Sequence, residues 1–163
     1  MHSYLHACHA VQSNSLVMWF TGSVLVSLVI WLSHYVAVFL TVGSMVMMSL
    51  RVLEIAEKSQ TVKEISDYYS PWMWIGLTVL TFSGILMLAG DSDLFCTNGY
   101  FAANLIITAV AAAFGVFIRK KATAWDQPSG TPLGAKFIAG FSILLWVGTI
   151  LSAVEVPARS GVP

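Results

Sequence analysis

The stretch that decides the fold is residues 22–53, GSVLVSLVIWLSHYVAVFLTVGSMVMMSLRVL, where His34 is the only residue before Arg51 that can be charged near neutral pH. A helix over residues 23–50 would be about 42 Å long, enough to cross a bilayer with tilt. The stretch therefore predicts a membrane-spanning helix. A histidine near the middle of such a helix is costly to bury in lipid, which makes His34 the first candidate for a functional residue.

The composition of the whole chain agrees with this prediction. Of its 163 residues, 57% are hydrophobic and only 10% are charged, whereas soluble domains carry about 25% charged residues. The formal net charge is zero, which argues against a nucleic-acid partner. No Lys or Arg precedes Arg51, so the start of the chain does not have the basic region of a usual cleavable signal peptide.

The predicted fold is all-α, an integral membrane four-helix bundle with an N-terminal interfacial helix. Residues 1–21 form the interfacial segment, with a helix over residues 2–12 and a break at Ser13–Ser15. Residues 22–155 form the bundle, with helices at about 22–53, 71–89, 100–119 and 134–154, and residues 156–163 form a tail. The charged residues 54–70 are predicted as a separate surface helix that starts at a Thr61-x-x-Glu64 capping box and ends before Pro71.

Charge predicts the orientation of the bundle. With four crossings, the segments 54–70 and 119–136 lie on one side, and from Arg51 onward that side carries seven of the eight basic residues. The positive-inside rule then places both termini and residues 90–99 on the outer side. We expect a multi-pass protein of the bacterial inner (cytoplasmic) membrane with periplasmic termini, in contact with lipid and with other membrane or periplasmic subunits or a second copy.

Small and polar residues recur at helical spacing along the first predicted span and predict that His34 faces the other helices; they are Ser23, Ser27, Trp31, His34, Ala37, Thr41, Met45 and Met48. Imidazole is a common haem ligand, so haem b or a quinone beside His34 and Thr41 is one interpretation, with Asn104 donating to it. The alternative is a histidine hydrogen-bonded to a Ser, Thr or Asn of a neighbouring helix. The membrane spans contain no second histidine. A second haem ligand would be Met87, would come from a partner, or would be one of the three N-terminal histidines if residues 2–21 fold into the bundle.

The N-terminus suggests a metal site, because His2, His6 and His9 share one helical face beside Cys8, and copper accepts imidazole donors. The alternative is the polar face of an interfacial helix. Cys8 and Cys96 both fall on the outer side, where they form a disulfide or remain free. The acids Asp91, Asp93 and Glu155 bind a cation on this side or are simply solvated. Four tryptophans are interpreted as a belt at the membrane interface: Trp72, Trp74, Trp125 and Trp146.

A series of short motifs resembles an uncharacterised family of small four-helix bacterial inner-membrane proteins over roughly residues 28–150: His34-x8-Gly43, Ser49-Leu50-Arg51, Ser70-Pro71-Trp72-x3-Gly76, Thr81-x2-Gly84, Asn98-x2-Phe101 and Ser142-x3-Trp146. More distantly it is similar to copper-resistance D membrane proteins and HemJ-type protoporphyrinogen oxidases. The resemblance implies a four-helix unit with a haem or metal role for the histidine. By position His34 and Arg51 match, and Asn104 stands where that pattern has a lysine.

Three functional hypotheses follow. The first is a small membrane subunit of a redox or electron-transfer complex that binds haem b or a quinone, with His34, Asn104, Thr41 and Arg51 as cofactor-binding residues. The second is an outer-side copper-handling protein that uses the N-terminal histidines. The third is a cofactor-free accessory or assembly subunit. No nucleophile with a base, phosphate-binding loop or carboxylate pair is recognisable, so a non-catalytic subunit is favoured over a stand-alone enzyme.

Overall fold

The computed structural model describes residues 10, 13–56, 59–92, 96, 98–127 and 130–158, with the backbone alone for residues 16 and 155–158. Within these ranges the elements are five helices and no strand: α1 (Ser15–Thr21), α2 (Val24–Val52), α3 (Val62–Gly90), α4 (Gly99–Trp125) and α5 (Leu133–Ala158). Helices α2 to α5 are long and apolar enough to cross a membrane. The all-α, multi-pass membrane bundle is therefore confirmed. The predicted interfacial helix over residues 2–12 lies, apart from Ala10, outside the described residues.

The bundle consists of two antiparallel hairpins, α2–α3 and α4–α5, which pack together through α2 with α5 and α3 with α4. Glycines allow the closest approaches between helices. A Cβ on Gly76 would lie 2.4 Å from Thr41 Oγ1, and one on Gly115 would lie 1.9 Å from Met45 Sδ. Small residues at such positions let membrane helices approach closely where no hydrophobic effect drives them together.

The packed core occupies one half of the bundle. Its buried side chains come from the C-terminal halves of α2 and α4 and from the first half of α3 and of α5; among them are Met45, Met48, Val52, Ile65, Met73, Ile118, Ala139 and Trp146. We call this end the inner end, and we call the opposite end, which carries α1 and residues 91–98, the outer end. Trp146 is only 1% exposed, so its interpretation as a membrane-belt residue was wrong.

Helix α3 corrects the predicted break before Pro71. The capping box at Thr61 and Glu64 is present, but the helix that it starts continues through Pro71 to Gly90. Pro71 removes one backbone hydrogen bond, a loss that membrane helices tolerate. The burial of Val62 and Ile65 in the core holds the first turns on the same axis. The predicted surface helix is therefore the inner extension of the second spanning helix.

Helix α4 also extends beyond its predicted end at residue 119, as far as Trp125. The three basic residues from Arg119 to Lys121 are thus helical rather than part of a flexible loop. All three side chains are exposed. Most of the predicted basic loop is accordingly helix, and the remaining connection to α5 is short.

Polar contacts tie the inner ends of the helices together. The Asp126 carboxylate accepts hydrogen bonds from the backbone N–H groups of Val62 (2.6 Å) and Lys63 (2.9 Å). It therefore caps the N-terminus of α3 from the end of α4, where the dipole favours an anion. At the end of α2, Arg51 donates to the carbonyl of Gln60 at 2.6 Å.

Glu54 forms the second link at this end. It has φ of 59°, and its N–H and that of Ile55 donate to the carbonyls of Arg51 and Leu50, which closes α2 as a Schellman motif with glutamate in the usual glycine position. Its carboxylate accepts from Lys136 Nζ and from the Thr131 N–H, both at 2.7 Å. These bonds, that of Lys136 first, lower the pKa of Glu54 to about 2.

Candidate functional site

The outer half of the bundle contains a cavity where the inner half contains core. Its volume is about 340 Å³, and residues from all five helices line it. Four aromatic side chains contribute to a mostly apolar wall, and three polar groups that can bind a ligand are also part of it. The aromatic residues are Phe20, Trp31, Tyr35 and Phe101, and the polar ones are His34, Asn104 and Asp91. A cavity of this size, mostly apolar with a few polar groups, has the character of a small-molecule site.

His34 is half-buried at the cavity wall, and its Nδ1 lies 3.0 Å from Ser83 Oγ of α3. The Ser83 hydroxyl also lies 2.6 Å from the carbonyl of Val79. A hydroxyl has one proton, and this short contact takes it, so the Ser83 oxygen accepts from Nδ1–H of His34. His34 Nε2 then keeps its lone pair. Among the described residues it has no hydrogen-bond partner, so it is available to a ligand.

The His34 ring packs tightly against α3. A Cβ on Gly84 would lie 3.6 Å from His34 Cε1, so glycine there leaves the ring just enough space. The face of α3 that carries Gly76, Ser83 and Gly84 is therefore the face that holds His34. The simpler interpretation of His34, a histidine bonded to a hydroxyl of a neighbouring helix, describes its Nδ1, and it leaves Nε2 unexplained.

Asn104 of α4 provides a second polar group. Its Oδ1 lies 3.2 Å from Thr108 Oγ1 and 3.3 Å from Ser152 Oγ. Within the described part of the chain its Nδ2 has no partner. Rotation of the amide by 180° would instead leave Oδ1 for a ligand, so Asn104 can donate to a carbonyl or accept from a hydroxyl.

His34 and Asn104 lie at about the same depth in the bundle. Met45 of α2 packs against the position of Gly115 in α4, and the two helices run in the same direction. His34 precedes Met45 by eleven residues, and Asn104 precedes Gly115 by eleven residues. The two hairpins thus present one polar group each, at one level, to the same cavity.

The other two residues predicted to bind a cofactor are not at this site. Thr41 is completely buried, two turns further in, where its hydroxyl faces Gly76. Arg51 lies at the inner end, seventeen residues from His34 along α2, or about 25 Å. The structure therefore places His34 and Asn104 together, and it does not bring Thr41 or Arg51 to them.

Sequence reasoning missed several residues of the site. Ser83 was not among the predicted site residues, although its position beside Gly84 could have indicated a close partner. Tyr35 and Phe101 look like ordinary lipid-facing or belt residues in the sequence. Asp91 was interpreted as a loop acid, but it lies at the end of α3 and lines the cavity. Met87, considered as a haem ligand, lines it too.

The predicted copper ligands His2, His6, Cys8 and His9 lie outside the described residues, as do Asp93 and the side chain of Glu155. Among the described residues no group of three His, Cys, Asp or Glu side chains could hold a metal ion. Cys96 is disulfide-bonded, and Cys8 is the only other cysteine in the sequence. Cys8, the predicted partner, lies outside the described residues.

Comparison of the chain with protein-family models, with curated proteins and with solved structures finds no match.

Proposed function

We propose that the chain is a membrane subunit of a redox complex and that the outer cavity binds a quinone beside His34. The observation that carries the proposal is the pairing of His34 Nε2, an acceptor with no protein partner, with the amide of Asn104 at about the same depth. A hydroquinone can donate one hydroxyl proton to Nε2 and bond to Asn104 with its other oxygen. The aromatic wall would stack on the ring.

The size and place of the cavity support the same ligand. A volume of about 340 Å³ is at the lower end of the range for small-molecule sites, about 300–1,000 Å³, which suits a single quinone ring. Trp31 and Tyr35 line the cavity yet are 45% and 54% exposed, so the wall reaches the lipid-facing surface on this side. A lipid-soluble ligand would reach the cavity from the bilayer through this part of the wall.

Haem b is the second candidate, because Met87 lines the same cavity as His34. Its macrocycle is larger than a quinone ring and would extend out of the cavity past the exposed side chains of Trp31 and Tyr35. A histidine with a methionine is a known axial pair for haem iron, and the free Nε2 of His34 is the nitrogen that would bind the metal. The resemblance to families with a haem or metal role for this histidine also favours haem. Haem would supply one-electron chemistry, while Asn104 would contact a propionate.

The decisive experiment measures the affinity of the protein in lipid nanodiscs for a short-chain hydroquinone. We expect His34→Ala and Asn104→Leu each to weaken binding by about tenfold, the cost of one buried hydrogen bond. Gln127→Leu, an amide lost from the exposed inner loop, is the matched control and should bind as the wild type does. Affinities that are unchanged in both cavity variants would contradict the quinone proposal.

His34→Gln separates the two cofactors. A glutamine oxygen can accept a hydrogen bond from a hydroquinone, but it is a poor iron ligand. For a quinone site we expect His34→Gln to keep more affinity than His34→Ala, and the purified protein to show no Soret band. A Soret band in the wild type that disappears in His34→Gln, and shifts in Met87→Leu, would establish haem b instead.

The orientation that we propose, with the cavity toward the outer side, has two independent supports. Arg51, Lys63, Lys136 and the basic residues of α4 all lie at the inner end, as the positive-inside rule requires of the cytoplasmic side. The disulfide of Cys96 lies at the opposite end, and disulfides persist on the oxidising side of a membrane. In a bacterium this is the periplasmic side of the inner membrane.

A further inference from the structure

The inner half of the bundle contains polar atoms that nothing in the described structure satisfies. Six buried side-chain atoms have no hydrogen-bond partner among the described residues, and each belongs to a side chain at most 4% exposed: Thr41, Ser49, Ser66, Ser70, Ser142 and Trp146. An orphaned buried polar group destabilises the folded state. Lipid cannot satisfy these groups, and the quinone or haem site does not use them.

On α2 and α3 three of these hydroxyls lie at similar depths. His34 bonds Ser83, and Thr41 contacts the position of Gly76. Seven residues forward along α2 therefore correspond to seven residues back along the antiparallel α3. Ser49, eight residues beyond Thr41, therefore comes level with residue 68. It lies opposite the turn of α3 that separates Ser66 from Ser70.

The two groups on α5 continue the series toward the cavity. Phe114 contacts Phe141, and Ile107 contacts the position of Gly148. These two contacts fix the register between α4 and α5, and the contact of Gly115 with Met45 fixes that between α4 and α2. Together they place Ser142 at about the depth of residue 43 of α2. Trp146 comes about level with residue 39, close to the depth of Thr41.

Ordered by depth, the six groups form a ladder from the inner end to a point below His34. Successive groups differ by about four residues of rise or less, about 6 Å, and the last step to His34 is about 8 Å. One water molecule bonded to two groups spans most of these steps along the axis. Folded proteins contain about one buried water per 27 residues, each usually with three hydrogen bonds to groups of this kind.

We propose that the six groups bind internal water and that these waters form a proton path between the inner end and His34. A proton that enters from the inner side passes along O–H groups and binds to the lone pair of His34 Nε2. The same Nε2–H bond then breaks as the proton passes to an oxygen in the outer cavity, whose rim carries the exposed carboxylate of Asp91, and His34 is neutral again. Each transfer makes one O–H or N–H bond as another breaks. Polar and ionisable groups inside a membrane protein often serve such relays.

The proposal does not rest on the bound cofactor, so the experiment uses none. The full chain is reconstituted in liposomes that contain a pH-sensitive dye, and a potassium diffusion potential drives protons inward. We expect a flux above that of empty liposomes. Ser49→Ala and Ser70→Ala should each lower it about fivefold, the equilibrium equivalent of about 1 kcal/mol lost from one water site.

Ser33→Ala is the matched control, because Ser33 is a half-buried serine of α2 whose hydroxyl already donates to the carbonyl of Ile30 at 2.8 Å. Its flux should equal that of the wild type. Thermal unfolding of the same variants provides a second readout: alanine at a dry orphaned serine raises Tm, whereas alanine at a water-bound serine leaves Tm equal or lower. A wild-type flux no greater than that of empty liposomes, or wild-type flux together with a raised Tm in Ser49→Ala, would overturn the proposal.

Discussion

At the scale of single residues, the chemistry of the outer cavity depends on one hydroxyl proton. Ser83 lies between the carbonyl of Val79 and His34 Nδ1. The bond to Val79 decides which nitrogen of His34 keeps a lone pair. A serine bonded to the carbonyl four residues earlier is common in helices, and here it sets the tautomer of a neighbouring histidine.

Ser83→Ala tests this assignment. Without the oxygen, His34 Nδ1 has no fixed partner, the imidazole can adopt either tautomer, and its ring is free to rotate. We expect hydroquinone affinity to fall about fivefold, near the value of one net hydrogen bond. Thr81→Ala is the control, because Thr81 also bonds its own helix, to the carbonyl of Leu77, and does not touch His34. Equal affinities for the two variants would refute the role of Ser83.

Glu54 supports a pH prediction of known sign. Its pKa falls from 4.5 to about 2 because Lys136 and the Thr131 N–H bind the ionised carboxylate. A lowered pKa means that the stabilisation is complete above about pH 4.5 and is lost as pH falls toward 2. We therefore expect Glu54→Gln to lower Tm at pH 6 and to have a much smaller effect near pH 2, where about half of the carboxyl groups are protonated in the folded protein.

The control for Glu54 is Asp67→Asn, which removes the ion pair with Lys63 on the exposed surface of α3. Exposed pairs contribute little, so this variant should unfold near the wild-type Tm at pH 6. A Glu54→Gln effect that persists unchanged at pH 2 would show that the Glu54 side chain stabilises the loop through its packing and not through its negative charge.

At the scale of elements, the helices are longer than hydropathy suggests. Helix α3 begins nine residues before Pro71, because Thr61, Glu64 and Asp126 together satisfy its first N–H groups. The prediction from local sequence was correct for the capping box. It was wrong that Pro71 ends the helix, because α3 continues through it. The cap provided by Asp126 is a contact across 64 residues, which no local pattern contains.

The crossing of α2 and α4 depends on a glycine, and a matched pair of variants tests it. Gly115→Ala would push a Cβ to 1.9 Å from Met45 Sδ, which overpacks a buried contact. Allowing for the better helix propensity of alanine, we expect a net loss of about 1–2 kcal/mol. Gly140→Ala meets no atom within 4 Å and should gain about 0.5–1 kcal/mol.

Unfolding in detergent measures both variants. Equal shifts of Tm in the two would mean that Met45 moves aside without cost and that the α2–α4 contact is loose. Opposite shifts would establish that Gly115 is required for close packing between the hairpins.

At the scale of the whole molecule, the inner and outer halves of the bundle differ in how tightly they are packed. The inner half contains the core and the charged links between helix ends, whereas the outer half contains the cavity and the end with the disulfide of Cys96. The packed half can hold the hairpins together while the other half leaves space for a ligand. This division fits a binding subunit better than a purely structural one.

The orientation can be measured with single introduced cysteines. Ser13 is exposed at the outer end and Gln127 at the inner end, and Cys96 is disulfide-bonded and so unreactive toward maleimide. In intact spheroplasts an impermeant maleimide should label Ser13→Cys and not Gln127→Cys, which should react only after permeabilisation. The reverse pattern would place the cavity on the cytoplasmic side.

The sequence by itself determined the class of the protein, the four membrane spans, the inward position of His34 and the end that carries the basic residues. These properties follow from hydropathy and helical periodicity, which act within one segment and need no knowledge of its neighbours. Only the tertiary structure decided that Asn104 stands level with His34, that Ser83 holds the ring, and that Thr41 and Arg51 lie elsewhere. Those outcomes depend on the register between helices. Contacts at Gly76, Gly84 and Gly115 set that register, and many alternative registers would bury an equally apolar surface.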